Sequence, residues 1–478
     1  MRTSAIRFGS LDLPPSVATR HFLLVGTTGC GKTTLLRRLE QSVLPEIGTS
    51  EDCRAIVFDP KNDVVPQLAA IAPDAELVIT NPFDVRATAW DVAADVNEPQ
   101  VAVEFAFDLI PQQSESQPFF SDASRHLIVG VVMSFMLSGL DWTLADLIRI
   151  LQSIRKLKAI LKRHPETRDL VPLYLSDRRL ASNILSSIAT KLLPFGPVAA
   201  AWEHASSRKS LEEWSRRGMI WVLGNSEVSR IPLQTLNRCM FKRSCDLTLS
   251  QSESRTRRTW FIVDELADVG KLEGVISLAK KGRSKGACLA FAFQSVAGLR
   301  DAQLYGQHFS EELLAQFGHK FIGRVECAAS AEWASMLVGD QEIEQQSRSE
   351  SNGKQGRSFT RSYQKVIRRG LLPSQFLDFP PCDVENGLTG VFFVPGIGVF
   401  HETLPGIQLF EEELIPPAED VPTFIPRPVD HQYLRPWTSE RAAFFGIHEH
   451  SPNSPIPRPN LGTEPETHQR DALDDLFQ

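Results

Sequence analysis

The run Gly26-Thr27-Thr28-Gly29-Cys30-Gly31-Lys32-Thr33 constrains this chain more than any other feature. It fits the spacing G-x-x-x-x-G-K-[ST]. It follows the apolar run His21–Val25 (HFLLV), which reads as a buried strand. It opens a helical pattern over Lys32–Gln41 with apolar Leu35, Leu36 and Leu39. Glycines at these positions let successive backbone N–H groups turn inward on phosphate oxygens, and a helix N-terminus adds partial positive charge. In that setting Lys32 reaches the β- and γ-phosphates and the Thr33 hydroxyl ligates Mg²⁺. The expected cofactor contacts are Gly26, Thr27, Thr28, Gly29, Cys30, Gly31, Lys32, Thr33 and Thr34, and the expected activity is binding and hydrolysis of ATP.

A P-loop needs a carboxylate at the tip of a neighbouring strand. Trp260-Phe261-Ile262-Val263-Asp264-Glu265 supplies an apolar strand ending in two acids. Such a pair is costly to bury unless it faces a cation. Asp264 is the expected Mg²⁺ partner of Thr33, and Glu265 the group that polarises the attacking water. Lys32 and Asp264 lie 232 residues apart. Two or three strand–helix units need far fewer, since each takes on the order of 30–40 residues.

The surplus has a visible location. Apolar strands alternate with helical patterns at His21–Val25, Arg54–Phe58 and Ala75–Ile79, the signature of a parallel sheet covered by helices. From about Asn97 to Arg217 the apolar residues recur at helical spacing, in Val101–Ile110, Leu127–Leu137 and Leu144–Leu151, with no convincing strand. Strand signals return at Met219–Leu223, Thr259–Val263, Ala287–Phe293 and His319–Ile322, and a hairpin is expected over Val391–Val394 and Gly398–Phe400. The sequence thus predicts an α/β nucleotide core in two parts, residues 1–96 and 218–415. An all-α domain, residues 97–217, is inserted between them, and a Pro-rich, extended tail spans residues 416–478. The polar stretch 344–370 reads as a mobile loop.

Two further side chains carry possible chemistry. Gln294 ends the strand Ala287–Phe293, where it either senses the γ-phosphate or caps a strand. Arg283 lies in Lys280-Lys281-Gly282-Arg283-Ser284-Lys285-Gly286, where it is either a finger for a neighbouring subunit's nucleotide or a solvated basic helix end. Further basic clusters occur at Arg155, Lys156, Lys158, Lys162 and Arg163, and at Arg348, Arg357, Arg361, Arg368 and Arg369. With a net charge of −7 over 478 residues, a nucleic-acid partner has to meet a local basic surface.

Composition excludes other classes. The seven cysteines form no CxxC pair, His448-Glu449-His450 lacks zinc spacing, and buried thiols in a reducing compartment are expected. The best membrane candidate, Leu127–Leu140, has 14 residues where a span takes roughly 20, so a buried core helix is expected.

The ordered set of motifs resembles a known family. His21–Thr33, Phe58-Asp59-Pro60-Lys61, Asn81-Pro82-Phe83-Asp84 with Trp90, Trp260–Leu266, Gly282–Cys288 and Phe293-Gln294-Ser295 occur in that order. Together they resemble the conjugative coupling-protein ATPases of the TraD/TrwB type. Phe119–Arg125, Trp333–Glu342 and Leu371–Leu377 extend the resemblance to about residues 20–400. It implies a RecA-like P-loop NTPase core with an inserted all-α domain, assembled as a homo-oligomeric ring, usually a hexamer. It implies ATP-driven movement of relaxase-bound DNA, expected to be single-stranded, towards a type IV secretion channel, with relaxase or relaxosome accessory proteins as partners. By the same resemblance Lys32, Thr33, Asp264, Glu265, Gln294 and Arg283 carry the family's site roles.

Two departures stand out. Family members usually carry two transmembrane helices before the P-loop, and here about 20 residues precede it. A cytoplasmic location is therefore expected, with any attachment at the inner membrane made through a separate membrane or secretion-channel component. Cys30 stands where Ser, Thr or Ala is common, which a thiol fits sterically. The end of the chain, Asp471-Ala472-Leu473-Asp474-Asp475-Leu476-Phe477-Gln478, reads either as a docking peptide for a relaxosome protein or as a solubilising end. The rival functions are a ring motor for chromosome pumping, packaging or defence, and an ATP-dependent adaptor that recruits relaxosome proteins.

Overall fold

The computed structural model describes residues 5–111, 118–301, 304–353 and 356–447, with side chains described outside 348–360. The expectations for His448–His450 and for the end of the chain lie outside these residues.

Nine strands form the central sheet. They are β1 Phe22–Val25, β2 Cys53–Asp59, β3 Glu76–Ile79, β4 Met219–Gly224, β5 Arg258–Val263, β6 Ala287–Phe293, β7 His319–Ile322, β8 Leu388–Val394 and β9 Gly398–Leu404. Their order across the sheet is β9-β8-β7-β1-β6-β5-β2-β4-β3. Pairings from β7 through β4 are parallel, while β8 pairs antiparallel with both β7 and β9. A parallel sheet covered on both faces needs apolar residues at every strand position. All residues of β1, β4 and β6 are accordingly buried. The core beneath them gathers Phe8, Phe22, Leu24, Leu35, Leu39, Trp260, Ile262, Phe321 and Phe392.

Helix α1, Lys32–Val43, starts on Gly31 and buries Leu35, Leu36, Leu39 and Val43. Its i, i+3, i+4 spacing puts these side chains on one stripe against the sheet.

The chain divides into two compact units. The first holds Met1–Val78, Glu213–Asn225 and Phe241–Phe424, and therefore nearly all of the sheet. The second holds Ile79–Glu212, Ser226–Met240 and the chain from Ile425 on. The helical unit thus begins earlier than residue 97 and takes in two further segments. It is built around Pro118–Leu137, whose Leu127, Ile128, Val131, Val132 and Phe135 are buried. This segment is the expected core helix, although it and Arg178–Glu203 are long and apolar enough to cross a membrane by length and composition. The unit is not wholly helical, because Thr88–Trp90 and Ser207–Lys209 form a short parallel pair.

Two sequence expectations are corrected. The described part of residues 344–370 is not a loop: Asp340–Gly353 and Gly356–Arg369 are strands paired antiparallel from Asp340↔Arg369 to Gly353↔Gly356. The polarity that reads as a loop reflects strands with no apolar face to bury. The tail also differs, because part of it packs within the helical unit. Arg427 donates to the carbonyls of Pro82, Asp84 and His204 at 2.8, 3.0 and 2.8 Å. The Trp437 indole donates to Asp146 at 2.7 Å, and Phe445, stacked on Trp437, is fully buried. Anchors spaced several residues apart between prolines leave no periodic trace, so this docking is silent in the sequence.

Candidate active site

The parallel strands point their C-terminal ends at one rim, where open α/β sheets place their ligand sites. On neighbouring strands β7, β1, β6, β5 and β2 that rim carries, in order, Arg324, the P-loop, Gln294, the Asp264–Glu265 pair, and the loop from Asp59 to Lys61.

The P-loop is held from three sides. Gly26 N–H donates to the Phe293 carbonyl at 3.2 Å, Thr27 N–H to the Arg324 carbonyl at 2.7 Å, and Cys382 N–H to the Gly29 carbonyl at 2.8 Å. Two glycines are required by close approach. Gly31, at φ 95°, would place a Cβ 2.8 Å from both Cys382 Sγ and Leu388 Cδ1, and Gly26 would place one 2.8 Å from the Arg324 carbonyl oxygen. Cys30 packs its thiol inside the loop against Gly26 and Gly323, so the substitution is accommodated and burial pushes the thiol's pKa up. Lys32 Nζ donates to the carbonyls of Gly26 and Thr27 at 2.7 and 3.1 Å.

The acids meet the loop as expected. Thr33 Oγ1 donates to Asp264 Oδ2 at 2.8 Å and lies 3.1 Å from Oδ1. A hydroxyl and a carboxylate in contact beside a phosphate cradle form the protein donor set that suits Mg²⁺, which keeps several waters and takes few protein oxygens. Glu265 and Gln294 follow the neighbouring strands β5 and β6 and line the same pocket. Burial holds the Glu265 carboxyl above the usual carboxylate range, while Gln294 and Lys32 pull the other way. Two buried acids stand behind the pair. Burial drives Glu40 of α1 up to about 8, with nearby Asp264 adding to the shift, and Asp59 up to about 6.

These groups line a pocket of about 200 Å³, made by Thr28, Gly29, Gly31, Lys32, Thr33 and Thr34 with Lys61, Asp264, Glu265, Asp268, Gln294 and Cys382. Lys61, Asp268 and Cys382 are absent from the site expected from sequence. Lys61 had a signal in the Phe58–Lys61 motif. Cys382 comes from a distant loop that nothing local marks.

Arg283 is not brought to this pocket. It is exposed in the turn before β6, whereas Gln294 follows the same strand. Seven residues of strand separate the two ends by about 23 Å. A cavity of about 710 Å³ in the helical unit is larger than the P-loop pocket. Its Arg149, Arg208 and Arg441 are paired to Glu203, Asp141 and Asp146, and it contains no nucleophile–base arrangement.

Fold and loop together define the class: a P-loop NTPase fold with a RecA-like core and a helical second unit. Comparison with known proteins narrows the class. The family profile described as the type IV secretion-system coupling protein DNA-binding domain matches residues 5–386, and the chain belongs to that family. It is 23% identical over 352 residues to the coupling protein TraD of Escherichia coli (strain K12), covering 71% of this chain and 47% of that protein. The chain therefore spans about half the length of this curated relative. Among solved structures it is similar to the unbound bacterial conjugative coupling protein TrwBdeltaN70, with a TM-score of 0.66, 20% identity, and 89% and 92% of the two chains covered. It is similar to the plasmid coupling protein TrwB in complex with ADP and Mg²⁺, with a TM-score of 0.66, 19% identity, and 89% and 93% covered.

Proposed function

We propose that this chain is an ATP-driven DNA translocase, a conjugative coupling protein that moves relaxase-bound DNA, single-stranded, towards a type IV secretion channel. The observation that carries the reading is the constellation at the sheet rim. Thr33 touches Asp264, and Lys32, Glu265 and Gln294 line the same pocket. Family membership supports the secretion setting. The TrwB structures with ADP and Mg²⁺ and with a non-hydrolysable ATP analogue support the choice of cofactor.

In this reading the P-loop N–H groups and Lys32 hold the phosphates, and Thr33 and Asp264 hold Mg²⁺. The ion supplies charge stabilisation and orientation of the terminal phosphate. Glu265 accepts a proton from the attacking water, and its raised pKa makes it a better base than an exposed carboxylate. Gln294 orients Glu265 and reports on the terminal phosphate. Arg283 lies too far from its own pocket to act there, so its role is as a finger for the next subunit of a homo-oligomeric ring, a hexamer. Relaxosome proteins and a membrane or channel component are the proposed partners, with the chain at the cytoplasmic side of the inner membrane.

The test is displacement of streptavidin from biotinylated DNA. ATP-dependent displacement from single strands supports the reading. Displacement from duplex alone favours a packaging or pumping motor, and no displacement with ATPase intact contradicts translocation.

A further inference from the structure

We infer that Lys61 is a catalytic residue of the P-loop site, contacting the terminal phosphate of the nucleoside triphosphate bound to its own chain and distinguishing triphosphate from diphosphate. The inference rests on the nucleotide-site reading above and deepens it.

The loop that carries Lys61 is fixed on both sides. Phe58 of β2 pairs with Val263 of β5, so Asp59 stands level with Asp264 at the rim. The Asp59 carboxylate is buried and accepts from the N–H groups of Asp63 at 3.1 Å and Val64 at 3.4 Å. An aspartate that binds backbone ahead of itself in this way closes a turn. Asn62 adopts the left-handed conformation at φ 57°, which asparagine tolerates better than most residues. Its amide donates to the Asn225 carbonyl at 3.0 Å, and the Asn225 amide donates to the Pro60 carbonyl at 3.2 Å. The residues before and after Lys61 are therefore tied down. The Lys61 ammonium itself makes no hydrogen bond or ion pair among the described residues, although it lines the pocket with Lys32, Asp264, Glu265 and Gln294.

The placement indicates what it reads. A P-loop cradles the inner phosphates, and its lysine reaches outward to the β- and γ-positions. Lys61 enters from β2, on the far side of the acidic strand from β1, where the outer end of the polyphosphate faces Asp264 and Glu265. Three carboxylates, Asp264, Glu265 and Asp268, line the pocket; Lys32 and Mg²⁺ on Thr33 and Asp264 would offset part of their charge against a terminal phosphate, and Lys61 would add a further cation from the β2 side. Arg283 of the same chain cannot serve, because it lies at the opposite end of β6. A cation in place here neutralises charge that grows on the equatorial oxygens during phosphoryl transfer.

The experiment uses the full-length chain with Mg²⁺ and compares Lys61→Ala, Lys61→Met and Lys61→Arg with wild type. Binding of ADP and of a non-hydrolysable ATP analogue is measured beside steady-state ATPase. The expected result for Ala and Met is ADP affinity within about twofold, analogue affinity about tenfold weaker, and turnover about 10²-fold lower, the loss typical of removing one charge-stabilising group. Lys61→Arg should recover most of the analogue affinity. Equal loss of ADP and analogue affinity would mean a structural role and overturn the inference, as would wild-type turnover in Lys61→Met. Failure of wild type to bind either nucleotide would instead overturn the site reading beneath it.

Discussion

Thr33 and Asp264, 231 residues apart in sequence, are in direct hydrogen-bonding contact, hydroxyl to carboxylate, at 2.8 Å. The contact joins the first turn of α1 to the tip of β5, with β6 and its Gln294 lying between the two parent strands. The hydroxyl and the acid so joined beside the phosphate cradle are the pair proposed above to hold Mg²⁺.

Removing either partner should therefore act through the metal. Thr33→Ala is expected to raise the Mg²⁺ concentration for half-maximal ATPase at least tenfold, with ADP binding in EDTA unchanged. A metal titration of turnover checks this. An unchanged Mg²⁺ requirement would place the ion elsewhere.

Glu265→Gln should retain nucleotide and lose turnover by about 10²-fold or more, the range for loss of a general base. The pH profile carries the sign. Glu265 must be ionised to accept a proton, and its pKa in the free protein is raised, so the acidic limb of kcat/KM should lie above the usual carboxylate range. The neighbouring Gln294 amide holds that pKa down. Gln294→Ala should therefore move the limb to higher pH. A shift to lower pH would contradict that influence.

Glu40 gives a stability prediction. Its pKa is raised to about 8 by burial in the fold, so the folded state binds more protons than the unfolded state between the ordinary glutamate value and pH 8. Stability is then full at low pH and declines as pH rises through about 8. Glu40→Gln should flatten this decline, raising Tm relative to wild type more at pH 8.5 than at pH 5. Thermal melts at the two pH values decide it, and equal shifts would show that the carboxyl does not titrate there.

Much of the site was legible because its parts are strand tips. His21–Val25, Thr259–Val263 and Ala287–Phe293 are apolar runs broken by chemistry-bearing residues. Their order in the sheet places Gln294 beside Glu265, as its position after a strand implied. Lys61 was visible only as part of a motif, since its use depends on the turn built by Asp59, Asn62 and Asn225. The strand pair within 340–369 and the docking of Trp437 were illegible for a common physical reason. Each is held by pairing or by isolated anchors, and neither produces the apolar periodicity that announces a buried element.

The docked segment makes its own prediction. Trp437 is almost fully buried, with its indole bonded to Asp146. Trp437→Ala should cost about 3 kcal/mol in the helical unit, within the range for deleting a large core side chain. It should also open residues 425–447 to limited proteolysis. Urea denaturation with protease mapping reads both effects, and unchanged stability and cleavage would mean that the segment is not held there.

Arg283 tests the ring. It stands about 23 Å along the sheet from its own pocket, so Arg283→Ala should lose ATPase activity while an equal mixture with Glu265→Gln recovers part of it. Recovery requires that one copy supply the arginine and its neighbour the base. Wild-type activity in Arg283→Ala would remove the finger role.

The central claim is that nucleotide turnover at this P-loop is coupled to DNA in a ring. Steady-state ATPase with no DNA, single-stranded DNA and duplex DNA, with oligomer mass measured on the same samples, tests it most directly. The account predicts a hexamer whose turnover rises with single-stranded DNA, more than with duplex, and falls to background in Lys32→Ala. Turnover that ignores both forms of DNA would contradict it and leave an ATP-dependent adaptor in its place.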